Sequence, residues 1–181
     1  MNTKTFFLIV CAFALFFTGC EKDEVFTETA DNAALKKAVV KEVPIKALDA
    51  YVVVTDFFND FPSQGICGGN MSHLGKLQAN KSIWNTVNVE VPDSEKPWIL
   101  LWTQEGDWCA ANGDLLHWSI VTTVDMMNQT VSGTAWFDGG TGRFVNAGGY
   151  FNLAGHPDPE DPTRFIVDSG VGMISNVGSG K

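Results

Sequence analysis

Residues 115–124 read Leu-Leu-His-Trp-Ser-Ile-Val-Thr-Thr-Val, and this stretch decides the fold class. Successive side chains of a β-strand point to opposite sides, so every second residue shares a face. The two faces hold Leu116, Trp118, Ile120, Thr122 and Val124 on one side, and Leu115, His117, Ser119, Val121 and Thr123 on the other. Both faces are rich in branched and aromatic residues, which favour strands. The pattern predicts a long β-strand but leaves open which face points inward.

Seven further segments have a similar composition and are bounded by clusters of Gly, Pro, Asn and Asp. In chain order, the predicted strands are Val39–Ile45, Tyr51–Phe57, Leu74–Val89, Trp98–Thr103, Leu115–Val124, Thr130–Phe137, Gly149–Ala154 and Phe165–Ser175. No segment after the N-terminal apolar leader sustains a helical period. Regular short strands predict an antiparallel sandwich or a closed barrel, and closure removes exposed strand edges.

The first twenty residues have the architecture of a secretory signal. A basic start at Lys4 precedes an apolar run from Phe6 to Phe17. This run of about twelve residues is too short to cross a bilayer, which takes about twenty. The ending Phe17-Thr18-Gly19-Cys20 resembles a bacterial lipoprotein box, in which the cysteine is lipidated and the signal is cut before it. The resemblance implies a signal peptide over residues 1–19 and a membrane anchor at Cys20.

Residues 20–37 are polar and contain few core-forming side chains, so we expect a flexible tether before a domain at 38–181. Lys22-Asp23-Glu24 resembles the short signal that sends lipoproteins to the cell exterior in one group of Gram-negative bacteria. The predicted location is the outer membrane, with surface exposure favoured over an anchor that faces the periplasm.

The charge balance disfavours a nucleic-acid partner. The chain has 21 acidic and 12 basic residues, for a formal net charge of −9, and the leader contains Lys4 but no acid. Binding to nucleic acid draws on clustered Lys and Arg, and this sequence has no such cluster.

Two cysteines are left for the domain once Cys11 is removed with the signal and Cys20 is lipidated. In an oxidising compartment, Cys67 and Cys109 are expected to form a disulfide. Closing this loop of about 42 residues would stabilise the fold by roughly 4 kcal/mol. The alternative is two separately buried thiols. Neither cysteine has the CxxC spacing or base partner of a metal or nucleophilic site.

Three motifs resemble a known group of proteins. Asn70–Lys76, Ala110–Asp114 and Gly139–Gly149 follow one another as in a widespread group of small secreted bacterial proteins. Members of that group are similar to the allene oxide cyclase-like barrel, an eight-stranded antiparallel calycin-type β-barrel. The resemblance covers roughly residues 65–175. It implies the fold rather than a chemistry, because its motifs are mostly turn glycines.

Asn112-Gly113 is the strongest two-residue hairpin signal in the chain, and Asp114 is expected to accept hydrogen bonds at that turn. The second turn motif runs from Asp138-Gly139 through Gly140 and Gly142.

Asp138-Gly139 favours a hairpin because both residues tolerate positive φ, and Gly140 and Gly142 extend that freedom across the bend. Phe144 is predicted to pack beneath the bend. A phosphate-binding loop is not indicated, since Gly142-Arg143-Phe144 lacks the Gly-Lys-Ser/Thr of a Walker motif.

No metal or cofactor is predicted. His73, His117 and His156 are far apart in sequence and form no HxH or HExxH pair. The acidic loop from Gly155 to Pro162 lacks the calcium-binding pattern of an EF-hand and is expected to be solvated.

The chain has six tryptophans, at 84, 98, 102, 108, 118 and 136. In a closed barrel such rings either line a cavity for an apolar ligand or a sugar, or simply fill the interior. The candidate ligand-binding residues are Trp98, Trp102, His117, Trp118 and Trp136.

These features lead to a hypothesis of a non-enzymatic, lipid-anchored barrel that binds a small hydrophobic ligand, a glycan or a surface partner. One alternative is a cyclase or isomerase that confines its substrate in the lumen, with Glu90, His117 or Asn112 orienting it. Another is a structural or adhesive protein with an exposed aromatic patch. A hydrolase is unsupported, because no serine lies in a GxSxG motif.

Overall fold

The computed structural model describes residues 40–178, and this range folds as strands with two short 3-10 turns, Ala79–Lys81 and Gly142–Phe144. The strands are β1 Glu42–Lys46, β2 Tyr51–Phe58, β3 Phe61–Gly68, β4 Asn70–Met71, β5 Gly75–Lys76, β6 Ile83–Glu90, β7 Ile99–Cys109, β8 Leu115–Asp125, β9 Thr130–Gly140, β10 Gly148–Pro157 and β11 Arg164–Ser175. Within residues 40–178 no helix has the length and apolar character needed to span a membrane. The predicted signal peptide 1–19, the lipidation site Cys20 and the tether 20–37 lie outside the described residues.

Eight strands form a ring within one sheet. Their order is β2-β3-β6-β7-β8-β9-β10-β11, every neighbouring pair is antiparallel, and β11 pairs back with β2. This last pairing is short and joins Arg164–Ile166 to Tyr51–Val53. β1 pairs with the other half of β11, opposite residues 171–175, and so lies beside the ring rather than in it.

The all-β prediction is confirmed, but the membership of the ring differs from the eight predicted strands. The predicted strand Val39–Ile45 corresponds to β1, outside the ring, and Leu74–Val89 is divided into β5, a 3-10 turn and β6. The eighth ring strand is β3, which the sequence pattern did not indicate. Its Pro62, Gly65 and Gly68 are residue types depleted in strands, so its composition hides it.

The alternation along β8 separates an inner from an outer face. Leu116, Trp118, Ile120 and Thr122 are buried, at 0 to 7% exposure, and point into the ring. Ser119, Val121 and Thr123 alternate with them and are exposed.

Glycines on the inner face make room for tryptophan rings. A Cβ added at Gly65 on β3 would lie 2.5 Å from Cε2 and Cζ2 of Trp84 and 2.2 Å from the Val53 carbonyl oxygen. A Cβ at Gly106 on β7 would lie 2.9 Å from Cζ2 of Trp118. Real side chains do not approach this closely, so the two rings occupy space that only glycine leaves free.

Three connections close one end of the ring, and we call them the floor: residues 69–82, 110–114 and 141–147. Backbone hydrogen bonds join the first connection to the second and to the end of β7, since the Ala111 N–H donates to the Leu74 carbonyl at 2.9 Å and the Gln78 N–H donates to the Cys109 carbonyl at 2.9 Å. Phe144 is fully buried beneath this end. The three motifs of the sequence resemblance all lie at the floor.

One of the two predicted turns lies where the sequence placed it, since Gly113 has a φ of 93° in the loop between β7 and β8. The predicted Asp138-Gly139 hairpin is wrong, because both residues still belong to β9, where Asp138 pairs with Gly148 and only Gly139 and Gly140 have a positive φ. Gly142 has a φ of 54°, and a Cβ there would lie 2.0 Å from Oδ1 of Asp114. Glycine at 142 therefore lets the connection 141–147 pack against the connection 110–114.

Asp114 links the connection 110–114 to the connection 141–147. Its Oδ2 accepts hydrogen bonds from Nδ2 of Asn112 at 2.7 Å and from the Arg143 backbone N–H at 3.2 Å. These donors, with a smaller contribution from the Arg143 guanidinium, lower the pKa of Asp114 below its usual value.

The predicted Cys67–Cys109 disulfide is wrong for this structure, in which both side chains are free, buried thiols. β6 lies between β3 and β7, and Ser82, just before β6, separates the two cysteines. Its carbonyl accepts from the Cys67 N–H at 2.7 Å and its Oγ accepts from the Cys109 N–H at 2.9 Å. Two strand spacings amount to roughly 10 Å, beyond the roughly 7 Å between Cα atoms that a disulfide tolerates.

Gly65→Ala should lower the free energy of unfolding by about 3 kcal/mol, because the new methyl group meets the Val53 carbonyl and the Trp84 ring. Denaturant titration measures the change. Gly148→Ala is the matched control, since its Cβ would meet only Oγ of Ser175, at 3.3 Å. Equal losses in the two variants would contradict the packing argument.

Asp114→Asn should lower the melting temperature at pH 7 and have little effect in acid. A carboxylate with a lowered folded-state pKa stabilises the fold above its unfolded pKa of about 3.9, and this contribution disappears as the pH falls through the folded pKa. Thermal melts of the wild type and the variant between pH 7 and pH 2 test whether the stabilisation by Asp114 is lost in acid. Asp138→Asn, at an exposed position near the end of β9, is the control. If the difference in melting temperature between the wild type and Asp114→Asn does not become smaller in acid, the carboxylate of Asp114 does not stabilise the fold in this way.

Candidate ligand-binding cavity

A cavity of about 100 Å³ lies inside the ring. All eight ring strands contribute to its wall, together with Met71 and Leu77 from the floor. Its largest side chains are aromatic: Tyr51, Trp84, Trp102, Trp108, Trp118, Phe151 and Phe165.

Packing and hydrogen bonds fix these rings. Trp108 lies 5.7 Å from Trp118 and 5.3 Å from Phe151, measured between ring centroids. Nε1 of Trp102 donates to Oγ1 of Thr86 at 2.8 Å, and that hydroxyl donates to the Pro62 carbonyl at 2.7 Å. The aromatic wall is therefore held in place before any ligand enters.

The cavity opens away from the floor. Floor-side lining residues such as Trp84 and Met71 are 2% exposed. At the opposite end, Val124, Val131 and Phe165 face inward yet are only half-buried. We call this opposite end, where β2–β3, β6–β7, β8–β9 and β10–β11 turn, the hairpin end. Solvent reaches the interior there.

The wall is almost entirely apolar. None of the described residues that line the cavity has a charged side chain, and its polar side chains are mainly Gln104, Thr122 and Tyr51. The Thr122 hydroxyl donates to the Trp102 carbonyl at 3.2 Å. Burial raises the pKa of Cys67 to about 12, an effect only partly offset by a hydrogen bond with Trp108, so this thiol is protonated at neutral pH. The site suits a neutral, apolar molecule.

The structure brings two of the predicted ligand-binding residues into the cavity wall, Trp102 and Trp118. Trp98 is half-buried just before β7 and does not line it. Trp136 is 59% exposed on the outer face of β9, where its ring lies 5.9 Å from that of Tyr150. His117 is on the outer face of β8, hydrogen-bonded to Asp107.

Two of the four cavity tryptophans were absent from the predicted set, Trp84 and Trp108. Trp108 lies six residues after Trp102 on β7, so alternation puts both rings on one face, but the predicted strand ended at Thr103 and left Trp108 out. For Trp84 no comparable signal was available, because the predicted strand Leu74–Val89 concealed where β6 begins.

The polar residues considered for catalysis lie outside the cavity. Glu90 is exposed at the end of β6 and accepts from Nδ2 of Asn88 at 2.6 Å, and Asn112 is engaged with Asp114 at the floor. His156 pairs with Asp168 at 2.7 Å on the outer side. Across residues 40–178, no group of three His, Cys, Asp or Glu side chains could hold a metal ion.

Comparison with known proteins gives no match: no family model, no curated protein and no solved structure matches the chain. The allene oxide cyclase-like resemblance stays a prediction carried by the three floor motifs.

Apolar side chains are also exposed at the hairpin end. Phe57, Phe58 and Phe61 surround the β2–β3 turn and are 51, 70 and 44% exposed, and we call them the aromatic tip. Met126 and Met127 are exposed in the β8–β9 turn at the same end.

Proposed function

We propose that the protein is a lipid-anchored envelope protein whose domain, a calycin-type β-barrel of the allene oxide cyclase-like kind, binds a small apolar molecule in its interior. The observation that carries the proposal is the apolar cavity of about 100 Å³ lined by four tryptophans. Engineered apolar cavities of about 150 Å³ hold a benzene molecule, so this smaller cavity takes no more than about one ring, and any substituent of the ligand would extend toward the open hairpin end.

Binding without catalysis is the better-supported role. A lumenal cyclase or isomerase needs an inward polar group to orient or protonate its substrate. Glu90, His117 and Asn112 do not line the cavity, and the hydroxyl of Thr122 is already engaged with the Trp102 backbone.

A second candidate is binding of a surface partner or glycan through the aromatic tip. It is favoured by three neighbouring phenylalanines that are each at least 44% exposed. A partner held by the tip should lose affinity in Phe58→Ser and keep it in Trp118→Phe. A cavity ligand should show the opposite pattern.

Ala135→Leu should abolish binding of compact apolar ligands, because Ala135 is fully buried on the inner face of β9 and lines the cavity. A panel of monocyclic terpenoids, fatty acyl fragments and sugars can be screened by tryptophan emission and by the shift in melting temperature. Ala154→Leu, on β10 but outside the cavity wall, is the matched control. The proposed function fails if no compound of the panel binds the wild-type chain.

Cys20→Ser should prevent acylation and leave the protein unprocessed or released from the membrane fraction, because the thiol is the proposed attachment atom. Labelling of cells with a radioactive fatty acid, followed by fractionation, measures both effects. Cys11→Ser, in the same apolar leader, is the control and should leave labelling intact. Unchanged labelling of the Cys20→Ser chain would remove the anchor from the proposal.

A further inference from the structure

Two of the tryptophans in the cavity wall have buried N–H groups without a partner. Nε1 of Trp84 and Nε1 of Trp118 make no hydrogen bond, and the two residues are 2 and 7% exposed. Trp102, in the same wall, donates its N–H to Thr86. Lack of a partner is therefore a property of two particular rings and not of the aromatic wall in general.

Such groups need an explanation. The great majority of buried donors in folded proteins have a partner, because an unmade hydrogen bond in an apolar interior is costly. Here both donors belong to residues that line the same cavity. A ligand with an acceptor that reaches both N–H groups would supply the missing hydrogen bonds and remove the free-energy cost of leaving them unmade.

The two indoles occupy one row of the sheet. Gly106 on β7 pairs with Trp84 of β6 on one side and with Trp118 of β8 on the other. A Cβ at Gly106 would lie 2.9 Å from Cζ2 of Trp118 and 2.9 Å from Cα of Trp84, so the Trp118 ring extends across this glycine toward Trp84. The two residues with unpartnered donors are therefore neighbours in one part of the wall.

The wall also limits the charge of the ligand. Among residues 40–178 no charged side chain lines the cavity, and the Cys67 thiol in the wall is buried. A carboxylate or an ammonium group would enter without a counter-ion, which is strongly unfavourable. A carbonyl oxygen is neutral and has two lone pairs, so it can accept two N–H bonds.

We propose that the cavity is selective for uncharged, compact apolar molecules that carry a carbonyl oxygen, recognised by the indole N–H groups of Trp84 and Trp118. This rests on the proposed function, whose ligand class it narrows.

The test compares acetophenone with α-methylstyrene, in which a C=CH₂ group replaces the C=O at nearly constant shape. Binding to the mature chain carrying Cys20→Ser, which needs no detergent, is measured by calorimetry. We expect the ketone to bind about tenfold more tightly. In spectra of protein labelled with ¹⁵N in the indole rings, the N–H protons of Trp84 and Trp118 should move downfield with the ketone and not with the hydrocarbon.

Trp84→Phe and Trp118→Phe should each reduce the preference for the ketone. Trp136→Phe is the matched control, because its ring is 59% exposed on the outer face of β9, and it should keep the preference. If either of the first two variants fails to fold, the indole shifts of the unmodified rings still decide the question.

The outcomes separate the two proposals. Equal affinity for the ketone and the hydrocarbon would overturn the carbonyl selectivity and leave apolar ligand binding intact. Failure of both compounds to bind, together with a blank screen, would overturn the proposed function itself. Indole protons that keep contact with a long-lived water in the ketone-saturated protein would assign the donors to water and overturn the selectivity.

Discussion

The structure depends on fitting four indole rings inside a closed ring of eight strands. Such a ring is just wide enough for its inward side chains to fill it, so large residues must be offset by small ones across the wall. Gly65 and Gly106 supply this offset for Trp84 and Trp118, because a Cβ at either position would overlap an indole. The pairing of large with small residues sets both the stability of the ring and the small volume left inside it.

The floor determines where that volume lies. Its three connections are tied to one another by backbone hydrogen bonds and by Asp114, and Phe144 is completely buried beneath them. One end of the interior is therefore closed by packed side chains, while the inward residues at the hairpin end are only half-buried. The resemblance motifs are turn glycines because they build this closure. They carry information about the fold and none about what enters from the other end.

The sequence supports the fold class well and the site only in part, for physical reasons. Alternation along β8 separates its buried and exposed faces correctly. The register of such a strand is strongly specified, because a shift by one residue would expose every buried side chain. β3 was missed because glycine is depleted in strands. In β3, Gly65 is required by the indole of Trp84 that packs against it, and not by the conformation of the strand. The disulfide was wrong because proximity in a sheet depends on strand order, and β6 separates the two cysteines. Trp136 and Trp102 are equal as residue types, yet the register places the first outside and the second inside.

The proposed binding role depends on where the polar side chains of the described residues lie. Two His–Asp pairs lie on the outer face, at half-exposed positions, and the acidic residues within 40–178 are likewise outside the cavity wall. Inside, the hydroxyls of Thr86 and Thr122 are engaged in holding Trp102, and the Cys67 thiol keeps its proton. General acid–base catalysis needs a group near its pKa beside the substrate, and this wall offers none among the described residues. What the interior does offer is shape, low polarity and two unused donors, which are means of selecting a molecule and retaining it.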